Sequence, residues 1–508
     1  MKPLTRDSAC NPSRSLIAAV LAFFTLNLAV YLVRIFSVWR YGALFCSTAV
    51  ESPMIDSVWR CIHHRPVYAC PFVFPFSLSL YNYLFYYVYA GVLKLIGAVD
   101  AGILTRGRQF TLLFALAGAL AQWRLVRSLL KLRGAASALS LCLSLGLWLC
   151  TSLVKYWALT IRPDMAAAAL VMIALWVVVR QSRFGFAYAG LLLYLAWAFK
   201  QSMVLAFAGL CLWLFLNKRW RDLTLLASVF AALVSATLLL GTPEYRFSIL
   251  VAPQMVRGFA FSLPWIQRAL GTGLTAVGLN LYWVAAPFVL LRASGSVSRA
   301  NTTVRLLATV FTVALIIGLA GMGKVGGTSN YLFEAFAAGS TLLQIAVFTV
   351  PRRLVTALLL FGCIQPAVQL AGTAIGYHHP GKKDRIPIAT AAEYADAVAL
   401  RNRLADLKKP LFTTDGPFAL PWISTDNGAP AIVIDPNFQE AARSREQNGG
   451  IEGMLQRGEI PTVMLASSDL VYLKSLNPGY RKIDESLQQG VTYSIYEFNP
   501  SPPAPSHP

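Results

Sequence analysis

Acidic side chains are scarce through most of this 508-residue sequence. Residues 1–375 hold 31 Lys and Arg against eight Asp and Glu, namely Asp7, Glu51, Asp56, Asp100, Asp164, Asp222, Glu244 and Glu334. Charge of either sign is thin, at 13% of residues, where a soluble globular chain has roughly 25%. The five histidines and eight cysteines form no C-x-x-C pair and no Cys/His set at metal-ligand spacing, which excludes the common structural zinc sites. Walker, G-x-S-x-G, H-E-x-x-H and strand-linked Rossmann motifs are also missing, so the usual soluble hydrolase and nucleotide chemistries have no foothold. The net charge of +21 is not a nucleic-acid signature. It divides as +23 over residues 1–375 and −2 over 376–508, and no basic block is interleaved with aromatics.

What is present is apolar. Hydrophobic residues make up 56% of the chain, in runs near 15–37, 82–97, 109–130, 135–153, 165–180, 185–203, 203–216, 222–241, 272–291, 305–321, 331–350 and 354–375. Runs of this length predict a mainly α, polytopic membrane protein. The first is too long for the apolar part of a cleaved signal and reads as a retained helix. Orientation follows from the basic loops. If the N-terminus is inside and 82–97 spans, every later basic cluster falls outside. If 82–97 lies along the outer surface, they all fall inside. The segment YNYLFYYVYAGVLKLIG suits a surface helix, because tyrosines prefer the interface and Lys94 sits in its interior. The expectation is about 11 transmembrane helices plus interfacial helices, N-terminus inside, with a long first outer loop at about 40–108 and another at 242–271. Six of the eight acids then lie outside or at outer helix ends.

After residue 375 the composition becomes that of a soluble domain. A linker is expected at 376–390, a small extracytoplasmic α/β domain at 391–498 and a disordered tail at 499–508. Within that domain 391–409 and 451–459 read as helices, and 410–415, 431–435, 462–466 and 493–498 as strands. Cys142, Cys150, Cys211 and Cys363 read as buried apolar groups. Cys46, Cys61 and Cys70 share the first outer loop, where an oxidising compartment lets two of them pair. Asn301 fits a glycosylation sequon on the expected inner side, and is discounted.

Four constellations carry chemistry. Glu51 and Asp56 stand just beyond the first span, where a carboxylate is a functional candidate. Either can take a proton from an attacking hydroxyl, and the alternative is a helix cap. Arg162-Pro163-Asp164 starts a helix, with Asp164 able to line the same cavity and Arg162 to face an anion; a favourable acid in a first helical turn is the plainer reading. Arg106, Arg108, Lys155, Lys200, Arg246, Arg257 and Lys324 break the positive-inside trend, and as a group they suit a phosphate-bearing ligand. GKVGGTSNYLFE (323–334) offers backbone N–H donors before a helix start, with Asn330 beside it and Glu334 one turn in.

An acid after the first span, HHRPVY (63–68) ending in Tyr68, the Tyr-rich run and an arginine before the second span together resemble the GT-C fold glycosyltransferases. The sequence is similar to bacterial relatives of protein O-mannosyltransferases and of the lipid A aminoarabinose transferase. RPDM (162–165), FKQS (199–202) and SNYLFE (329–334) extend the resemblance. It implies inverting transfer of a sugar from a polyprenyl-phosphate donor to a lipid, glycan or protein acceptor on the non-cytoplasmic face of a bacterial inner membrane. Glu51 would match the first-loop acid, although Val50-Glu51-Ser52 departs from the usual Asp-Glu or Glu-Gly and leaves the base open between Glu51 and Asp56. Arg106 or Arg108 would match the arginine that meets the donor phosphate. Some relatives use a divalent metal, and no metal ligands are identified here. The partners implied are the lipid-linked donor and membrane lipids, with no nucleic acid. A transporter or flippase of lipid-linked saccharides is the alternative; such proteins often show repeated halves, and no internal repeat is found.

Overall fold

The computed structural model describes residues 13–40, 51–255, 262–293, 302–374, 391–413 and 445–499, less 75, 77, 100, 101, 152, 155, 156, 181, 325, 326, 351, 409, 468, 489 and 490. The expected linker, the strand at 431–435, the tail from residue 500, the sequon at Asn301, and Cys46, Lys155 and Arg257 lie outside the described residues.

The chain folds mostly into helices: α1 (Arg14–Arg40), α2 (Glu51–Ile62), α3 (Tyr83–Leu95), α4 (Gly102–Leu130), α5 (Gly134–Cys150), α6 (Asp164–Val179), α7 (Gly185–Phe199), α8 (Leu205–Leu216) and α9 (Trp220–Leu240). After the short α10 (Pro243–Arg246) and α11 (Ala252–Met255) come α12 (Leu263–Leu279), α13 (Leu281–Val284), α14 (Ala286–Ala293), α15 (Thr302–Gly321), α16 (Phe333–Thr349) and α17 (Arg352–Ala374).

Among the described residues six helices are long and apolar enough to cross a membrane: α1, α4, α9, α15, α17, and α16 with the turn before it. A seventh is obtained if α12 and the helices after it count as one span bent by 86°. The eleven spans expected from apolar runs are thus not reached by length and composition. Parts of α5, α6, α7 and α8 are apolar but only 10–17 residues long; at 1.5 Å per residue that falls short of a ~30 Å hydrocarbon core. Buried irregular segments account for the shortness. Described residues of 151–163 are buried between α5 and α6, and Lys200–Val204 interrupts the apolar run between α7 and α8. The segment read as an outer loop at 242–271 is itself partly helical, since α12 begins at Leu263.

α16 is the central helix: 89% of its spanning window is buried, against 11% for α9, which faces outward. Ala335, Ala337, Ala338 and Gly339 let neighbours approach it closely. A buried polar rung crosses the bundle nearby. Gln122 of α4 donates to Ser340 Oγ at 2.5 Å, Gln344 donates to Gln122 Oε1 at 3.0 Å and to Ser144 Oγ at 2.7 Å, and Ser140 donates to Gln344 Oε1 at 2.9 Å. α3 packs on α2, α4 and α7, burying Phe85, Tyr86 and Tyr89 and leaving Lys94 exposed. Cys61 and Cys70 are not paired.

The C-terminal unit comprises α18 (Ala391–Ala405), β1 (Leu411–Thr413), α19 (Gly450–Arg457), β2 (Thr462–Ala466), α20 (Leu470–Lys474), β3 (Tyr480–Gln488) and β4 (Val491–Phe498). The sheet order is β1-β2-β4-β3, with β1 parallel to β2 and the other pairs antiparallel. β2 alternates between two cores: Met464 and Ala466 pack with Leu400 and Leu404 of α18, and Val463 and Leu465 with Ile451 and Leu455 of α19. β3 was not expected. Its sequence, YRKIDESLQ, is polar and has an irregular register between Lys482 and Asp484, as suits an edge strand.

Candidate active site

Three of the scarce acids, Glu51, Asp164 and Glu334, stand at the end of the bundle where α2, α4, α6, α8 and α16 begin. Glu51, the first residue of α2, is completely buried. The Arg108 guanidinium donates to both its oxygens, Nε to Oε1 at 3.2 Å and Nη2 to Oε2 at 3.0 Å. The Ile161 N–H also donates to Oε1, at 2.9 Å. This forked pair therefore pins the 160–164 segment to α2 and α4. Thr111 of α4 adds to the pinning by donating to the Thr160 carbonyl at 2.8 Å.

That segment carries the second carboxylate. Asp164 opens α6, and burial leaves none of its surface exposed. Its Oδ1 accepts from Lys200 Nζ and, at 3.0 Å, from Asn330 Nδ2. Arg162 Nε lies 3.3 Å from Oδ2, and that oxygen receives no hydrogen bond from a described residue. Arg162 is held from three sides: its guanidinium lies 4.0 Å over the Trp157 ring, donates to the Tyr81 hydroxyl at 2.7 Å, and pairs with Asp164. Burial pushes the Tyr81 hydroxyl well above its ordinary pKa, against the lowering effect of Arg162. It therefore stays protonated, accepting from Arg162 and keeping its own proton to donate.

Glu334, in the first turn of α16, accepts the Ala206 N–H at 2.8 Å and so caps α8, the helix that follows Lys200. Beside Lys200, Gln201 donates to the Leu80 carbonyl at 2.8 Å, and its buried Oε1 has no described partner. The Tyr331 ring stands 5.7 Å from Lys200 Nζ.

Of the residues singled out from sequence, the fold joins Glu51 with Arg108, and Asp164 with Arg162, Lys200 and Asn330. Tyr68 supports the site at one remove, donating to the Tyr81 carbonyl at 2.8 Å. Asp56 faces elsewhere: it pairs with Arg60 at 2.9 Å, and burial raises its carboxyl above the usual range against the pull of Arg60 and Arg65. Arg106 is exposed and bonds Gln109 at 2.9 Å. Helix geometry separates Arg106 from Arg108 by roughly 200°, so only one of them can face inward. Lys324 sits half-buried in the turn after α15, its N–H on the Gly321 carbonyl at 3.3 Å. Sequence reading missed Tyr81, Trp157 and Ile161, because a tyrosine, a tryptophan and a backbone N–H carry no signal until the fold places them.

The donor set does not fit a divalent ion. The Glu51 and Asp164 carboxylates face cations, and no three His, Cys, Asp or Glu side chains gather among the described residues.

No family model matches the sequence, and no curated protein matches it. The fold does have solved counterparts. ArnT from Cupriavidus metallidurans bound to undecaprenyl phosphate superposes with a TM-score of 0.59 at 12% identity, over 94% of this chain and 97% of that one. Its apo state gives 0.60 at 12% identity, with the same coverage. An oligosaccharyltransferase from Archaeoglobus fulgidus in complex with Zn and sulfate gives 0.51 at 14% identity, over 89% of this chain and 68% of that one. The chain has the GT-C fold that these membrane glycosyltransferases share.

Proposed function

We propose that the chain is an integral-membrane glycosyltransferase, moving a sugar from a polyprenyl-phosphate donor to a lipid, glycan or protein acceptor with inversion at the anomeric carbon. The observation that carries this reading is the buried Asp164 cluster: one carboxylate oxygen without a hydrogen-bond donor among the described residues, set against Arg162 and Lys200. In a GT-C fold whose counterpart ArnT binds undecaprenyl phosphate, that pattern supplies both halves of the reaction. Asp164 Oδ2 takes the acceptor hydroxyl's proton as its oxygen attacks the anomeric carbon. The bond from that carbon to the phosphate oxygen breaks on the opposite face, and the departing phosphate is met by the Arg162 Nη2 and Tyr81 hydroxyl pair, while Lys200 stays on the Asp164 carboxylate. Glu51 and Arg108 fix the 160–164 segment rather than reacting.

The membrane arrangement belongs to the same proposal. Six long helices, the bent pair and the four shorter ones make eleven crossings of a bacterial inner membrane, with α3 on the surface. In this proposal the N-terminus is inside, and a module over 1–375 is joined by a linker to an extracytoplasmic domain at 391–498.

The test is transfer from a polyprenyl-phosphate sugar by the purified chain in lipid nanodiscs, with cell glycolipids compared by mass after gene deletion. Asp164→Asn is expected to abolish transfer while the protein stays inserted and monodisperse. Full activity in that variant would falsify the assignment of the base.

A further inference from the structure

The chain between α2 and α3 joins two parts of the molecule that are far apart in sequence. At one end, Phe76 is 3% exposed inside the core of the C-terminal unit, among Phe412, Ile451, Leu455, Val463 and Tyr480. Its backbone is left-handed, φ +56°, a conformation that a bulky residue keeps only where its surroundings hold it. The Phe72 carbonyl nearby accepts the Gln447 N–H at 3.0 Å. Leu78 packs with Ala252 of α11, next to Met255.

At the other end the same strap enters the candidate active site. Ser79 donates to the Val67 carbonyl at 2.6 Å and shares a hydrogen bond with Ser57 of α2 at 2.9 Å. The Leu80 carbonyl is held by Gln201. The Tyr81 N–H donates to the Tyr86 hydroxyl at 3.1 Å, and the Tyr81 hydroxyl holds Arg162. Phe76, in the core of the C-terminal unit, therefore stands five residues from Tyr81, whose hydroxyl holds the guanidinium that faces Asp164.

We propose that Phe76 is a positioning residue. Anchored in the C-terminal unit, it holds the strap at the register that places Tyr81 against Arg162. Seating of the C-terminal unit is thereby coupled to the cation beside the reacting carboxylate. The unit acts as a clamp on the site, and a loosening of it is felt at Arg162. The activity arm of the test rests on the glycosyl-transfer reading; the exchange arm does not.

The experiment uses the full chain in nanodiscs, comparing the wild type with Phe76→Ala, Phe76→Leu and the Tyr81→Phe background. Amide hydrogen exchange is expected to rise at Tyr81 and Ile161 in Phe76→Ala while Val463 and Leu465 in β2 stay protected. Leucine, which still fills the pocket, is expected to restore both. Transfer by Phe76→Ala is expected to fall roughly 10- to 100-fold, as for a small misplacement of a charged group. In the Tyr81→Phe background the same change should cost less than about twofold, because the two act through one contact. Unchanged exchange at Tyr81 in the folded alanine variant overturns the proposal, as do losses that multiply in the double variant. If alanine unfolds the C-terminal unit, Phe76→Met carries the same comparisons. If even the wild type transfers no sugar, the functional reading fails and the exchange arm alone decides the strap.

Discussion

Glu51 and Asp164 are both fully buried carboxylates, yet cations meet them in different ways. Glu51 has both oxygens gripped by one guanidinium, whereas Asp164 has one oxygen gripped and the other facing Arg162 without a hydrogen bond. The two should fail differently. Asp164→Asn is expected to lower transfer by about 10²- to 10⁴-fold, the usual worth of a general base, and, because it leaves the buried Lys200 and Arg162 charges without their carboxylate, to lower the melting temperature as well. Glu51→Gln strands the buried Arg108 charge and is expected to cost about 3–5 kcal/mol of stability, partly recovered when Arg108→Gln is added; thermal melts of the purified variants read both. Asp56 provides a third, pH-dependent contrast. Its carboxyl is raised in the folded state, chiefly by burial, so its contribution to stability is fully present below the unfolded pKa and is lost as pH rises through the folded one. Melting temperature should therefore fall over that range in the wild type and lose this component in Asp56→Asn; identical profiles would refute it. The sequence already displayed the acids, because so few compete for notice. It could not display their pairing, since Arg108 differs from Arg106 only in which way α4 turns.

At the scale of elements, the sequence was legible wherever apolar pattern and fold agree. The runs mark α1, α9, α15 and α17 to within a few residues, and α4 at its end but not over its first two turns, which carry Arg106 and Arg108; strands β1, β2 and β4 lie where β-branched and aromatic residues cluster. It was illegible where polar demands override pattern. The α12–α14 bend and the buried described residues of 151–163 interrupt apolar sequence, and β3 is an edge strand too polar to signal itself. Two further element-scale outcomes follow from the packing. A Cβ on Gly118 of α4 would lie 2.2 Å from the Trp148 ring of α5. Gly118→Ala is therefore expected to lose about 1–3 kcal/mol through overpacking, seen as a lower melting temperature, with Trp148→Phe as the relieving partner. Gln344→Leu removes the hub of the polar rung and leaves Gln122, Ser140 and Ser144 short of a partner. In a membrane interior each such bond is worth about 0.6–2 kcal/mol, so the Gln122→Leu/Gln344→Leu pair should be less damaged than the two single losses combined.

For the whole molecule, the decisive quantity is which end of the bundle carries the site. All the site helices begin there: α2, α4, α6, α8 and α16 start at the carboxylates, while α7 ends at Lys200. The opposite end receives the turns that hold Lys131, Arg133, Lys218 and Arg219, two of them left-handed at Lys131 and Lys218. A basic rim at one end and buried carboxylates at the other is the charge asymmetry that orients a membrane protein. On the proposed orientation the Asp164 cluster faces the side where lipid-linked sugars are presented outside the cytoplasm. Single cysteines in an otherwise cysteine-free chain check this directly. Lys94 at the end of α3 and Arg133 before α5 are both exposed, so each accepts a membrane-impermeant maleimide if its side of the membrane is reached. Lys94→Cys is expected to label in intact cells, and Arg133→Cys only after permeabilisation. A chain that keeps Cys70, exposed and unpaired in the α2–α3 connection, as its single cysteine is the control and should label as Lys94→Cys does. Labelling of Arg133→Cys from outside would reverse the bundle, placing the carboxylates on the cytoplasmic side and removing the extracytoplasmic donor from the proposed reaction.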